Sequence, residues 1–199
     1  YTLLKESKTY FPLNREGAIK LIIDQLNEHD VVVSTTGKTS REVFEYREEL
    51  NQTHEKDFLT VGAMGHSSSI ALGIALEKKD RTIFCIDGDG SALMHMGSIA
   101  INGMQKDITN FKHIIINNGS HDSVGGQPTV GFDIDFSKIA SASGYTLCDS
   151  ASDIDEIKEK LKIMINHKGR ALLEIRVNKG ARENLGRPAQ TPVENKSLF

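Results

Sequence analysis

Cysteine is scarce in this chain. Cys85 and Cys148 are the only two in 199 residues, and their spacing matches no metal-binding pattern. Both fall in predicted strands and read as buried free thiols of a reducing cytoplasm, where the protein is expected. No charge sign dominates. With 24 basic and 27 acidic residues the net charge is −3, so no basic field recommends nucleic acid or an anionic membrane as partner. Long apolar runs are also missing. The run around residues 113–116 is far too short to span a bilayer, and no secretory signal or internal repeat is visible. What remains is an ordinary globular composition, 38% hydrophobic and 26% charged, long enough for one domain with a real core.

Strands and helices alternate along the chain. Pro12-Leu13-Asn14 ends a linker-like opening, residues 1–12, and Asn14 is a predicted N-cap. Ala18, Ile19, Ile22, Ile23 and Leu26 then form a helical stripe. Val31–Val33, Phe58–Val61, Thr82–Ile86, Lys112–Ile116, Tyr145–Cys148 and Ala171–Val177 read as six strands. Helices are expected from residue 40 to about Leu50, and over Ser67–Leu76, Ala92–Met104, Asp135–Ser143 and Ile154–Ile165. Residues 119–132 read as glycine-rich and irregular, and 178–199 as a polar tail. This order predicts an α/β fold: a doubly wound, six-stranded, mostly parallel sheet with helices on both faces, over residues 13–177.

Two strand ends carry the chemistry. Gly88-Asp89-Gly90-Ser91 closes one apolar strand, and Asn117-Asn118 closes the next, with residues 91–116 between Gly90 and Asn117. Ligands of open α/β sheets bind at this carboxyl edge. Glycines let backbone N–H groups approach a phosphate, and Asp89 and Asn118 offer hard oxygens to a divalent cation. Asp87 is expected to shape the turn. The string Gly37-Lys38-Thr39-Ser40 suggests a nucleotide P-loop, but Val32 stands where that motif needs its first glycine.

The GDG-to-NN interval resembles the pyrophosphate-binding domain of thiamin diphosphate enzymes. That resemblance implies Mg²⁺ ligated by Asp89, Asn118 and the Ser120 carbonyl, with Gly88, Gly90 and Ser91 against the diphosphate. Gly62 would accept a hydrogen bond from the cofactor's aminopyrimidine, and Met64 would wedge the cofactor into its bent shape; alone, Met64 reads as a core methionine. Thr36 and Lys38 would touch the diphosphate. The runs Thr36–Glu42, Gly65–Ser67, Asn117–Gln127 and Arg182–Pro188 further resemble the phosphonopyruvate decarboxylase family and its sulfopyruvate relatives. This implies decarboxylation of 3-phosphonopyruvate to phosphonoacetaldehyde and CO₂, as in phosphonate biosynthesis. Lys38, Arg182 and Arg187 would meet the anionic substrate, and His66 and His121 are candidate catalytic proton carriers.

The resemblance also implies a missing part. Thiamin enzymes activate the cofactor with a glutamate on a separate pyrimidine-binding domain, and no glutamate here stands in that context. A pyrimidine-binding domain or subunit is therefore the expected partner, in an assembly expected to be homo-oligomeric. A start at Tyr1 rather than methionine favours the C-terminal piece of a longer enzyme. The rival readings are a sulfopyruvate decarboxylase subunit and a non-catalytic diphosphate-binding domain.

Overall fold

Helix caps and apolar periodicity build the elements of the computed structural model, which describes residues 9–188 and 190–199. Asn14 caps α1 (Arg15–Ile23), its side-chain oxygen accepting from the Gly17 N–H at 2.9 Å. Four buried apolar residues, Ala18, Ile19, Ile22 and Ile23, form its inner stripe. There follow β1 (Val31–Ser34), α2 (Lys38–Glu49), β2 (Asp57–Leu59), α3 (Ser67–Glu77) and β3 (Ile83–Gly88). Next come α4 (Asp89–Met94), α5 (Gly97–Gly103), β4 (Phe111–Asn117) and a small hairpin of β5 (Ser120–His121) and β6 (Gln127–Pro128). The chain continues with α6 (Phe136–Ala142), β7 (Leu147–Ala151), α7 (Ile154–Asn166), β8 (Ala171–Arg176) and α8 (Pro192–Leu198). Asp135, Asp153 and Thr191 cap α6, α7 and α8.

The main sheet has the order β2-β1-β3-β4-β8-β7, and every pairing in it is parallel. Alternate residues feed two cores. Val32, Phe84, Ile114 and Leu173 pack with α1 and α7, whereas Val33, Cys85, Ile115 and Leu172 pack with α3, α5 and α6. Both faces of the central strands are therefore covered, which is why they read as mainly apolar runs, although β4 also buries Lys112 and His113 and β8 buries Glu174. At one edge, three-residue β2 is covered by α8, and the Phe58 and Phe199 rings meet edge-on at 5.4 Å. Among the described residues no helix is long and apolar enough to cross a membrane.

The topology places a switch point between β1 and β3. Chain leaves β1 toward β2 and leaves β3 toward β4, so the two crossovers diverge and open a crevice at the carboxyl ends.

Several local expectations change. The helix expected over 92–104 is two helices, because the backbone leaves helical geometry at His95 (φ −131°, ψ 46°), whose Nδ1–H donates to the Gly65 carbonyl at 3.0 Å. The strand expected at 145–148 begins at Leu147, since Tyr145 is instead a buried anchor of the α6 side. Cys148 is half-buried rather than buried. The supposedly irregular stretch holds the β5–β6 hairpin and a 3-10 turn, Asp122–Val124. Of the linker-like opening, residues 1–8 lie outside the described residues, while Thr9 and Phe11 hydrogen-bond to Asn178.

Two glycines give a matched test of packing. A methyl group on Gly103 in α5 would fall 2.1 Å from the Ser143 carbonyl oxygen, whereas one on Gly73 in α3 would meet nothing within 4 Å. Gly103→Ala should destabilise by about 1–3 kcal/mol, and Gly73→Ala should stabilise by up to about 1 kcal/mol; urea unfolding of both variants checks the pair. A second expectation concerns pH. Asp57 and Glu48 raise the pKa of buried His54 above its ordinary value. Because the folded value is the higher one, this stabilisation is complete below the unfolded pKa and disappears as pH rises through the folded one. The urea midpoint should thus fall above pH 6.5 more steeply in the wild type than in His54→Gln.

Candidate functional site

The diverging loops after β1, β2 and β3 are held together by one hydroxyl. Ser91 Oγ accepts from Thr35 Oγ1 at 2.9 Å and from the Gly65 N–H at 3.0 Å. Thr36 Oγ1 accepts from the Gly62 N–H at 3.0 Å, tying the first two loops again. Between these loops and the segment after β4 lies a cleft of about 210 Å³. Nine of the sequence-predicted site residues line it: Thr36, Met64, Gly88, Asp89, Gly90, Ser91, Asn118, Ser120 and His121.

Asp89 is the electrostatic centre of this cleft. It is 1% exposed and begins α4, where its carboxylate accepts from the Thr129 hydroxyl and from the backbone N–H of Asn118. Among the described residues it has no cationic partner. Burial pushes its carboxyl up to about 6. Neighbouring carboxylates are treated differently. Arg15 forms a bidentate pair with buried Glu42 at 2.7 and 2.8 Å, and buried Glu174 receives Asn117 Nδ2 at 2.7 Å and Arg176 Nε at 2.9 Å. One buried carboxylate left without a cation, beside an amide oxygen, is the donor set a hard divalent ion needs.

The two asparagines divide their tasks. Asn117 turns inward, donating to the Gly131 carbonyl and Glu174, while its oxygen accepts from the Gly119 N–H at 3.1 Å. Asn118 lines the cleft, donating to Asp122 at 2.8 Å and accepting from the Ser120 N–H at 3.1 Å. Asp87 shapes the turn by accepting from the Gly88 N–H at 2.9 Å. Gly90 is required by close approach, since a methyl there would lie 2.5 Å from the His121 ring. Gly37, at φ +99°, begins α2 and abuts Ser123.

Five predicted residues lie outside this cleft. Gly62 is in the adjoining loop, bonded to Thr36. His66 is exposed at the start of α3, donating to the Met64 carbonyl at 3.2 Å and lying 4.8 Å from the His95 ring. Lys38 lines neither this cleft nor its neighbour, and its charge acts on Glu42. Arg182 is already engaged, pairing with Glu16 at 3.1 Å and with Glu45. Arg187 belongs to a neighbouring cleft.

Sequence reasoning missed Arg15, Arg41 and Asp122. Arg15 bridges α1 to Glu42 of α2 and, at 3.0 Å, to Asp122, which in turn holds Asn118. No local pattern announces such a bridge. Burial pushes Glu42's carboxyl up against the pull of Arg15. It also missed a tertiary proximity: Cys85, Asp87 and His113, all buried, bring their ligand atoms within 4.8 Å, although linear spacing shows nothing.

A doubly wound domain with loops converging at its switch point is of the class that binds a ligand at the carboxyl edge of its sheet. The chain belongs to the thiamine pyrophosphate enzymes, whose C-terminal TPP-binding domain matches residues 35–175. It is 35% identical over 180 residues to the phosphonopyruvate decarboxylase of Streptomyces viridochromogenes, covering 90% of this chain and 44% of that one. With the sulfopyruvate decarboxylase subunit beta of Methanocaldococcus jannaschii it shares 33% identity, covering 76% of this chain and 77% of that one. The benzoylformate decarboxylase of Polynucleobacter necessarius has the same fold, with TM-score 0.71 at 18% identity over 90% of this chain and 36% of that one. The chain thus spans less than half the length of the phosphonopyruvate decarboxylase it matches.

The buried bridge gives a test. Arg15→Met should cost about 3–5 kcal/mol by leaving Glu42 uncompensated, and the double change with Glu42→Leu should recover much of that loss. Thermal unfolding of the two variants measures both.

Proposed function

We propose that this chain is the diphosphate-holding half of a Mg²⁺- and thiamin diphosphate-dependent decarboxylase acting on 3-phosphonopyruvate. The products are phosphonoacetaldehyde and CO₂, a step of phosphonate biosynthesis. The observation that carries this reading is the single uncompensated carboxylate, Asp89, held against Asn118 in the switch-point cleft. Asp89, Asn118 and the Ser120 carbonyl hold Mg²⁺, and Gly88, Gly90, Ser91 and Thr36 receive the diphosphate. Bound thiamin diphosphate supplies the electron sink for loss of CO₂ from a 2-oxo acid.

The remaining roles follow from placement. Met64, half-buried at the cleft wall, sets the bend of the cofactor, with the Gly62 carbonyl beside it. His121, across Gly90, handles protons near the reacting carbonyl. Val61 is 74% exposed although apolar, and His66 is exposed on the same loop. We assign this face to the pyrimidine-binding domain or subunit, which brings the activating glutamate. The enzyme works in the cytoplasm as an oligomer. Identity to phosphonopyruvate decarboxylases over 90% of the chain supports the phosphono acid as substrate. The match to most of a separate beta subunit favours sulfopyruvate as the second reading.

Calorimetric titration of thiamin diphosphate with Mg²⁺, in the presence of the pyrimidine-binding partner, tests the site. Asp89→Asn should weaken Mg²⁺-dependent binding by at least about tenfold, the scale of a lost charged contact; unchanged affinity would sink the assignment. CO₂ release should be faster from phosphonopyruvate than from sulfopyruvate, and the reverse order would favour the second reading.

A further inference from the structure

A second cleft, of about 280 Å³, lies beside the cofactor cleft and shares Thr36, Gly37 and Arg41 with it as a common wall. Its opposite side is built by the tail, including Arg187, Pro188 and Asn195. Two guanidinium groups line it, those of Arg41 and Arg187, and no carboxylate does. The acids of α2 that stand nearest in sequence are committed elsewhere. Glu42 is held by Arg15, and Glu45 by Arg182 and the Gly186 N–H. Among the described residues, neither Arg41 nor Arg187 has an ion-pair partner.

Two like charges facing one cavity repel each other until an anion enters between them. Arginine is the side chain suited to that anion, because its planar fork donates two parallel hydrogen bonds to a phosphonate, sulfonate or carboxylate. The position matters as much as the charge. Arg41 stands in the wall common to both clefts, and Arg187 lines only the second, so the pair sits beside the cofactor cleft with one arginine, Arg41, reaching both sides of the wall.

We propose that this second cleft is the subsite for the distal acid of the substrate, with Arg41 and Arg187 gripping a tetrahedral oxyanion one methylene away from the reacting ketone. This rests on the decarboxylase reading above and deepens it. The subsite replaces Lys38 and Arg182 as the source of anion selectivity, since one lines neither cleft and the other is paired. It also gives the tail a task. An anion held by both arginines cross-links α2 to the segment around Arg187.

The test compares substrates that differ only in the distal group, in the holoenzyme with its pyrimidine-binding partner. For Arg41→Gln and Arg187→Gln, the ratio of kcat/KM for phosphonopyruvate over pyruvate should each fall roughly tenfold to a hundredfold, mainly through KM for the phosphono acid. Arg187→Lys should recover part of the loss. Calorimetry with phosphonoacetate, an unreactive molecule bearing the same two acids, should show the same weakening in both glutamine variants. Running sulfopyruvate in parallel distinguishes the two oxyanions, because the group losing more on substitution is the one the subsite fits. If thiamin diphosphate binds and both acids turn over, but the ratio and phosphonoacetate affinity are unchanged in both variants, the subsite is overturned while the decarboxylase reading stands. If thiamin diphosphate does not bind yet phosphonoacetate still depends on both arginines, the cofactor reading fails alone.

Discussion

One hydroxyl, that of Ser91, holds together what the sheet topology would otherwise let drift apart. A parallel sheet sends its crossovers in opposite directions at a switch point, and the loops there have no strand pairing to fix them. Here the loops after β1 and β2 both donate to Ser91 in the first turn of α4, directly after β3. The Gly62–Thr36 bond and the Gly90–His121 contact are meaningful only because the three loops keep one relative position.

Around this junction, charge is distributed with a clear bias. Three carboxylates near the cleft, Glu42, Glu45 and Glu174, are each met by an arginine. Asp89 alone among the buried acids at the cleft is left with neutral donors. Burying an ionised carboxylate without a cation is costly, so natural folds keep such a group where a positive partner arrives from outside. The arginines show the complementary arrangement. Arg15, Arg47, Arg176 and Arg182 are spent on ion pairs, whereas Arg41 and Arg187 line a cavity free of acids.

Much of this was readable before any coordinates. The strands at Val31, Ile83, Phe111 and Ala171 were legible because sheets covered on both faces demand mainly apolar, β-branched runs. Gly90 was legible because close backbone approach narrows the choice of residue, and Asn118 because paired asparagines at a strand end stand out in the sequence; both line the cleft. Arg15, Glu42 and Asp122 were not, since ion pairs link residues far apart in sequence and any exposed charge looks the same in one dimension. The break at His95 was hidden for a related reason. Its helix has no proline, and what bends it is a hydrogen bond to Gly65 on another loop. Arg182 misled in the opposite sense. It looked like a free cation in a polar tail, and Glu16 and Glu45 had already claimed it.

The isolation of Asp89 has a thermodynamic consequence. In the proposed role, the buried carboxylate would repel a diphosphate unless a divalent cation lay between them, so a diphosphate would not be well accommodated in that cleft by itself. Each creates the electrostatic conditions for the other, and linkage requires the enhancement to be the same in both directions. Occupancy then rises steeply when both are plentiful and collapses when either is scarce. With Asp89 in the proposed role, the cleft would act as a coincidence detector, reading two concentrations through one side chain.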